Sequence, residues 1–182
     1  MDGPFVRLAG QNSMERLTFE PMREYLQNLA RYDGWADEQL IQSLKGPAEG
    51  DERVIHLAGH LLAAKRVWLS RIRGEDTFTY DLWPKYSVVD FAVRLRELDQ
   101  EMLAFVSSPQ ENFDRIVHYR NQTGNYFDTR LSDILIHVVN HATYHRGQLA
   151  TAVKNAGGTP AVTDYIAWVR SVGCVTELIG EW

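Results

Sequence analysis

The stretch LSDILIHVVNHATYHRGQLATAVKN, residues 131–155, places apolar side chains at Leu131, Ile134, Leu135, Val138, Ala142, Leu149, Ala152 and Val153. At about 100° per residue these positions form one stripe of an α-helix, and no face of a β-strand collects them. A helix with a single apolar stripe must bury it against other elements. Three further segments have the same character. From Pro21 to Leu44, the residues Met22, Tyr25, Leu29, Tyr32, Trp35, Ala36, Leu40 and Leu44 keep helical spacing until Gly46-Pro47 ends the run. Asp51 is placed to cap a second helix, VIHLAGHLLAAKRVWLSRI, which continues to Gly74 with its basic residues toward the C-terminal end. Ser87-Val-Val-Asp90 has the form of a capping box, opening a third helix with Phe91, Leu95, Leu98, Met102 and Phe105 before Ser-Ser-Pro109. The pattern predicts an all-α four-helix bundle, whose interior is where such folds build ligand and metal sites.

Smaller features complete the expected fold. Ile116, Val117, Tyr119, Tyr126 and Phe127 flank a Thr-Gly-Asn turn, which predicts a small β-hairpin before the last bundle helix. Thr163 or Asp164 is placed to cap a short C-terminal helix carrying Tyr165, Ile166 and Trp168. Residues 1–17 read as a loose lead-in, 18–173 as one domain and 174–182 as a tail. With 182 residues, 45% of them apolar, the chain suits one core better than two.

Composition excludes several functions. The net charge is −5 with both signs interspersed, so no basic face is available for nucleic acid. Cys174 is the only cysteine, which rules out an intrachain disulfide and a cysteine-built zinc knuckle and fits a reducing cytoplasm. Its tail setting, SVGCVTE, has no neighbouring histidine in sequence and does not suggest a nucleophile. The opening MDGPFVRLAGQNSMERL lacks the apolar core of a signal peptide, and nowhere do about 18 apolar residues run together. A soluble cytoplasmic protein is the expectation. Asn121-Gln122-Thr123 reads as a turn.

Half of the six histidines lie in the segment HVVNHATYHRGQL, at His137, His141 and His145. On the helical wheel His145 falls inside the apolar stripe, His141 at its margin, and His137 roughly 120° from its centre. His137 and His145 are separated by about 12 Å of helix rise, too far for one ion to bond both at roughly 2.1 Å. Adjacent members of the row can share an ion, and the core-facing pair is His141 with His145. Helix two offers His56 and His60; His56 lies beside polar Glu52, Arg66 and Ser70, while His60 flanks Ala64, Val67 and Trp68. His60, His141 and His145 are therefore the candidate metal ligands, with His137 outside the first shell. Three imidazoles suit Zn, Ni, Fe or Cu, and an unfilled fourth position is the pattern of catalytic sites. The bland reading is a pair of hydrogen-bonded histidines at a buried boundary. Asn140, Tyr144, Arg146 and Gln148 crowd polar groups around the pair, and Gly147 accepts a helix cost of about 1 kcal/mol relative to Ala. Gly147 reads either as a point of close approach for a ligand or as a packing site for another helix. His118 reads as ordinary surface.

ARYDGWADEQL, GHLLAAKRVWLSRI, HVVNHATYHRGQL and AGGTPAVTDYIAW together resemble the DinB family of helical-bundle metalloenzymes, over roughly residues 20–170. These proteins share the fold of the mycothiol and bacillithiol S-transferases. The resemblance implies an up-down-down-up bundle, a divalent metal (Zn or Ni first, Fe or Mn also) on His60, His141 and His145, and a homodimer. Where the family often has amides in the first-helix motif, this chain has Asp33 and Asp37. It also implies a small-molecule substrate, a low-molecular-weight thiol activated at the open position, with Tyr144 or Arg146 assisting. Two other readings stand beside a thiol transferase: a metal-assisted hydrolase, for which no HExxH carboxylate base is present, and a non-catalytic metal- or small-ligand-binding protein of the stress response.

Overall fold

The computed structural model describes the backbone of residues 11–172 and the side chains from residue 21 onward. Among the described residues the chain is mostly helical, with five α-helices and a two-stranded antiparallel sheet. Helix α1 spans Gln11–Ser43, α2 Glu52–Ile72 and α3 Val88–Ser107; strands β1 Ile116–Arg120 and β2 Tyr126–Arg130 lead into α4 Leu131–Asn155, and α5 covers Tyr165–Ser171. Both α1 and α2 pack along α3 and α4. The core between them is aliphatic, built from residues such as Leu40, Ile41, Leu61, Leu69, Leu95, Leu98, Leu149 and Val153. None of these helices is long and apolar enough to cross a membrane.

The caps explain where two helices begin. The Asp51 carboxylate accepts from Val54 N–H at 2.9 Å, and Ser87 Oγ accepts from Asp90 N–H at 3.0 Å. The reciprocal half of the capping box differs from expectation: Ser87 Oγ donates to the Asp90 carboxylate at 2.7 Å instead. Asp164 stands at the start of α5, but neither it nor Thr163 forms the side-chain cap bond that the sequence suggests. α5 is held by packing: Trp168 joins Tyr32 and Ala36 in a second small core, and Tyr32 Oη donates to the Thr163 carbonyl at 2.8 Å. The hairpin pairs Ile116 with Arg130 through Arg120 with Tyr126, and Gly124 supplies the φ of +89° that its turn requires.

α1 differs from expectation at its start. Among the described residues it already runs from Gln11, through residues read as lead-in, and Pro21 sits within it. Proline forfeits one N–H bond, and the helix runs through it. Met22 and Tyr25, which keep the helical spacing, are exposed. The tail from residue 174, with Cys174, lies outside the described residues.

The interior also holds a charge cluster that joins all four long helices. Lys65 of α2 meets Asp33 and Asp37 of α1 and Asp99 of α3, at 2.7 Å to Asp33 and 2.5 Å to Asp99. Arg146 of α4 bonds Asp33 and Asp37 at 2.7 Å each. Burial opposes the charged ammonium, yet the three carboxylates hold Lys65 protonated well above its ordinary range. Burial likewise pushes Asp33 up, but Lys65 and Arg146 outweigh it and keep its carboxyl below the usual value. The carboxylates outnumber the cations by one, and the difference is felt at Asp99. Burial, opposed by Lys65 and reinforced by Asp37 and Asp33, raises its carboxyl from 3.8 to about 7.

Removing one partner from such a cluster strands buried charge, so Lys65→Met is expected to cost about 3–5 kcal/mol of unfolding free energy in a urea titration. Asp99 takes up a proton more readily folded than unfolded. Its contribution to stability is complete below pH 3.8 and is lost as pH rises toward 7. Relative to wild type, Asp99→Asn is therefore expected to gain stability between pH 4.5 and pH 7.5, read from paired urea titrations.

Candidate metal centre

α2 and α4 lie side by side, and their facing edges carry His60, His141 and His145. Each of the three offers a ring nitrogen, and these atoms all lie within 4.8 Å of one another. Exposure follows the helical wheel: His145 is buried at 6%, His141 half-buried and His137 exposed.

Ring orientations are fixed from behind. His60 Nδ1–H donates to the Leu82 carbonyl at 2.8 Å, which leaves Nε2 bare and facing the other histidines. His145 Nδ1–H donates to Gln148 Oε1 at 3.0 Å, which does the same for its Nε2. That atom stands 3.3 Å from His141 Nε2. Either His141 donates a proton there, or two lone pairs converge where a cation satisfies both. Burial is the main cause that lowers the His141 pKa from 6.5 to about 4, with His145, His137 and His60 adding to it; burial and His60 also lower His145. Neutral imidazoles are the form that binds a metal, so the donor set fits a divalent transition ion.

The other sequence candidates fall elsewhere. His137 stands edge-on to Trp68, with centroids 5.0 Å apart, and is not part of the converging group. His118 pairs with Asp128 on the exposed hairpin. Tyr144 is exposed and meets His145 edge-on at 5.2 Å, so it borders the site. Arg146 is a correction. Its side chain is 1% exposed and committed to Asp33 and Asp37, so it is not available to steer an anionic substrate. The same bonds place Asp33 and Asp37 in the interior. Of the two readings of Gly147, the packing of another helix is corrected: a Cβ built there meets nothing within 4 Å, so no neighbouring protein group demands a glycine.

Sequence reasoning missed the loop between α2 and α3. Trp83 stacks on both His60 and His56, with centroids at 3.8 Å and 4.2 Å. A Cβ at Gly59 would lie 1.8 Å from the Pro84 carbonyl oxygen, so the loop rests directly on the α2 backbone. The available signal was a glycine inside a helix, immediately before a candidate ligand.

A helical protein with three histidines converging between two of its helices is the class that this geometry defines. The chain matches the DinB family over residues 17–172 and belongs to that family. It is 25% identical to the protein named Protein DinB of Bacillus subtilis (strain 168) over 160 residues, covering 79% of this chain and 93% of the relative. No solved structure matches it.

Folding depresses the His141 pKa, so the stability this residue contributes is complete above pH 6.5 and is lost as pH falls toward 4. Metal-free wild type is expected to lose stability across that window relative to His141→Gln, measured by urea titration at pH 7 and pH 4.5.

Proposed function

We propose that this four-helix bundle binds one divalent transition metal on His60, His141 and His145 and is a metal-dependent enzyme of the thiol S-transferase kind. The observation that carries this reading is the convergence of three ring nitrogens within 4.8 Å, two of them held bare by bonds to Leu82 and Gln148. Three protein ligands leave room for a small molecule at the remaining position. Zn and Ni suit the donor set best, with Fe and Mn as alternatives.

A metal held there supplies the Lewis acidity that favours the thiolate form of a low-molecular-weight thiol at neutral pH. The chain's own residues supply orientation. Leu82 and Gln148 fix two rings, Trp83 stacks on His60, and the exposed Tyr144 borders His145, where it is placed to assist a bound substrate. Hydrolysis is less well supported, because it needs a free carboxylate base beside the histidines. The carboxylates that cluster, Asp33, Asp37 and Asp99, are bonded to Lys65 or Arg146. We also propose a cytoplasmic homodimer, on the strength of the family resemblance and the exposed Tyr25, Tyr165 and Ile166 near α5.

Elemental analysis of purified protein is expected to find about one metal ion per chain. His60→Ala, His141→Ala and His145→Ala should each lower affinity by more than the roughly 10–100-fold that losing an outer-shell partner costs, while His137→Ala keeps its metal. Metal loss from His137→Ala with retention in His145→Ala contradicts the assignment. Metal binding without consumption of any thiol and electrophile pair would leave a binding protein and remove the transferase.

A further inference from the structure

We propose that residues 82–84 form a strap belonging to the metal centre, with Leu82 and Trp83 as positioning residues for His60 and Gly59 as the position that admits them. This rests on the metal-binding reading and adds a function for a loop outside the histidine motifs.

Two observations converge on one imidazole, and a third on the residue before it. The Leu82 carbonyl accepts from His60 Nδ1–H at 2.8 Å, selecting the tautomer whose Nε2 is free. The Trp83 indole stacks on the same ring at 3.8 Å and 15° between planes, which removes the remaining rotation about its side-chain bonds. The Pro84 carbonyl lies so close to α2 that any Cβ at position 59 collides with backbone, which cannot swing aside as a side-chain tip can. A glycine inside a helix costs about 1 kcal/mol relative to alanine, and the strap is the neighbour that makes it necessary. Within the loop the Trp83 backbone N–H donates to the Asp81 carboxylate at 2.9 Å, a local turn that shapes the strap. His56, one turn earlier on α2, takes part in the Trp83 stack and is not among the converging ligands. Its place in the site is to support the indole.

A ligand held by both a hydrogen bond and a stack loses little conformational freedom when it binds an ion, which is how outer partners raise affinity. The strap also brings the Trp83 indole onto the His60 ring, as Tyr144 lies edge-on to the His145 ring.

The test uses the full-length chain and two readouts. In the metal-free protein, a long-range proton–nitrogen spectrum is expected to show His60 protonated at Nδ1, and to show a mixture of tautomers in Gly59→Ala. Ni2+ and Zn2+ affinities, read by competition with a chromophoric chelator, are expected to fall about 10–100-fold in Gly59→Ala and in Trp83→Ala. Trp83→Phe, which keeps a stacking ring, should restore affinity to near wild type. Circular dichroism of Trp83→Ala should be unchanged, which separates loss of positioning from loss of fold. Wild type that binds neither ion would remove the metal reading and the strap's role with it. Wild type that binds while both variants bind equally tightly, or His60 protonated at Nε2 in the metal-free chain, overturns the strap alone.

Discussion

The buried cluster of Lys65 with Asp33, Asp37 and Asp99, completed by Arg146, is the constraint on which the arrangement of the helices depends. Each long helix contributes at least one member, so none can slide or turn by a residue without stranding a charge in the interior. Buried ion pairs add little net stability over a well-packed apolar core, but the penalty for breaking one is large. The cluster therefore acts on register more than on total stability. Its consequence for the site is direct, because Arg146 follows His145. Successive helical residues point about 100° apart. With Arg146 committed to α1, His145 is turned toward α2, where His60 waits.

Charged and neutral chemistry are kept apart in this molecule. Carboxylates sit in the interior, bonded to Lys65 and Arg146, while the imidazoles sit at the α2–α4 edge, where burial lowers the pKa of His141 and His145. A hard cation would prefer the carboxylates, but the Lys65 ammonium already occupies their centre. A transition ion prefers the nitrogen set, which is partly accessible and pre-oriented. The same separation explains why Arg146, next in sequence to a candidate ligand, has no part in the site.

The histidine geometry was legible in the sequence because it obeys the helical period. The wheel placed His145 inward, His141 at the margin and His137 outside, and their exposures follow that order. The α4 boundaries and the hairpin turn were equally legible, since apolar spacing and the Thr-Gly-Asn turn are local signals. What escaped depends on pairing across the fold. Nothing in the spacing of Asp33, Asp37 and Arg146 announces that α1 and α4 bring them together, or that Lys65 and Asp99 join them. Both Gly59 and Gly147 are helix-breaking residues beside candidate ligands, and a one-dimensional reading singled out Gly147. The structure reverses the emphasis, because the loop that makes Gly59 necessary is irregular and has no period to read.

X-ray absorption at the metal edge of the loaded protein reads the centre most directly. Three imidazole nitrogens at about 2.1 Å are expected, with a further light ligand replaced by sulfur at about 2.3 Å when a small thiol is added. A closed shell of four protein ligands that does not respond to thiol, or a shell dominated by carboxylate oxygens, would contradict a three-histidine centre with an open position.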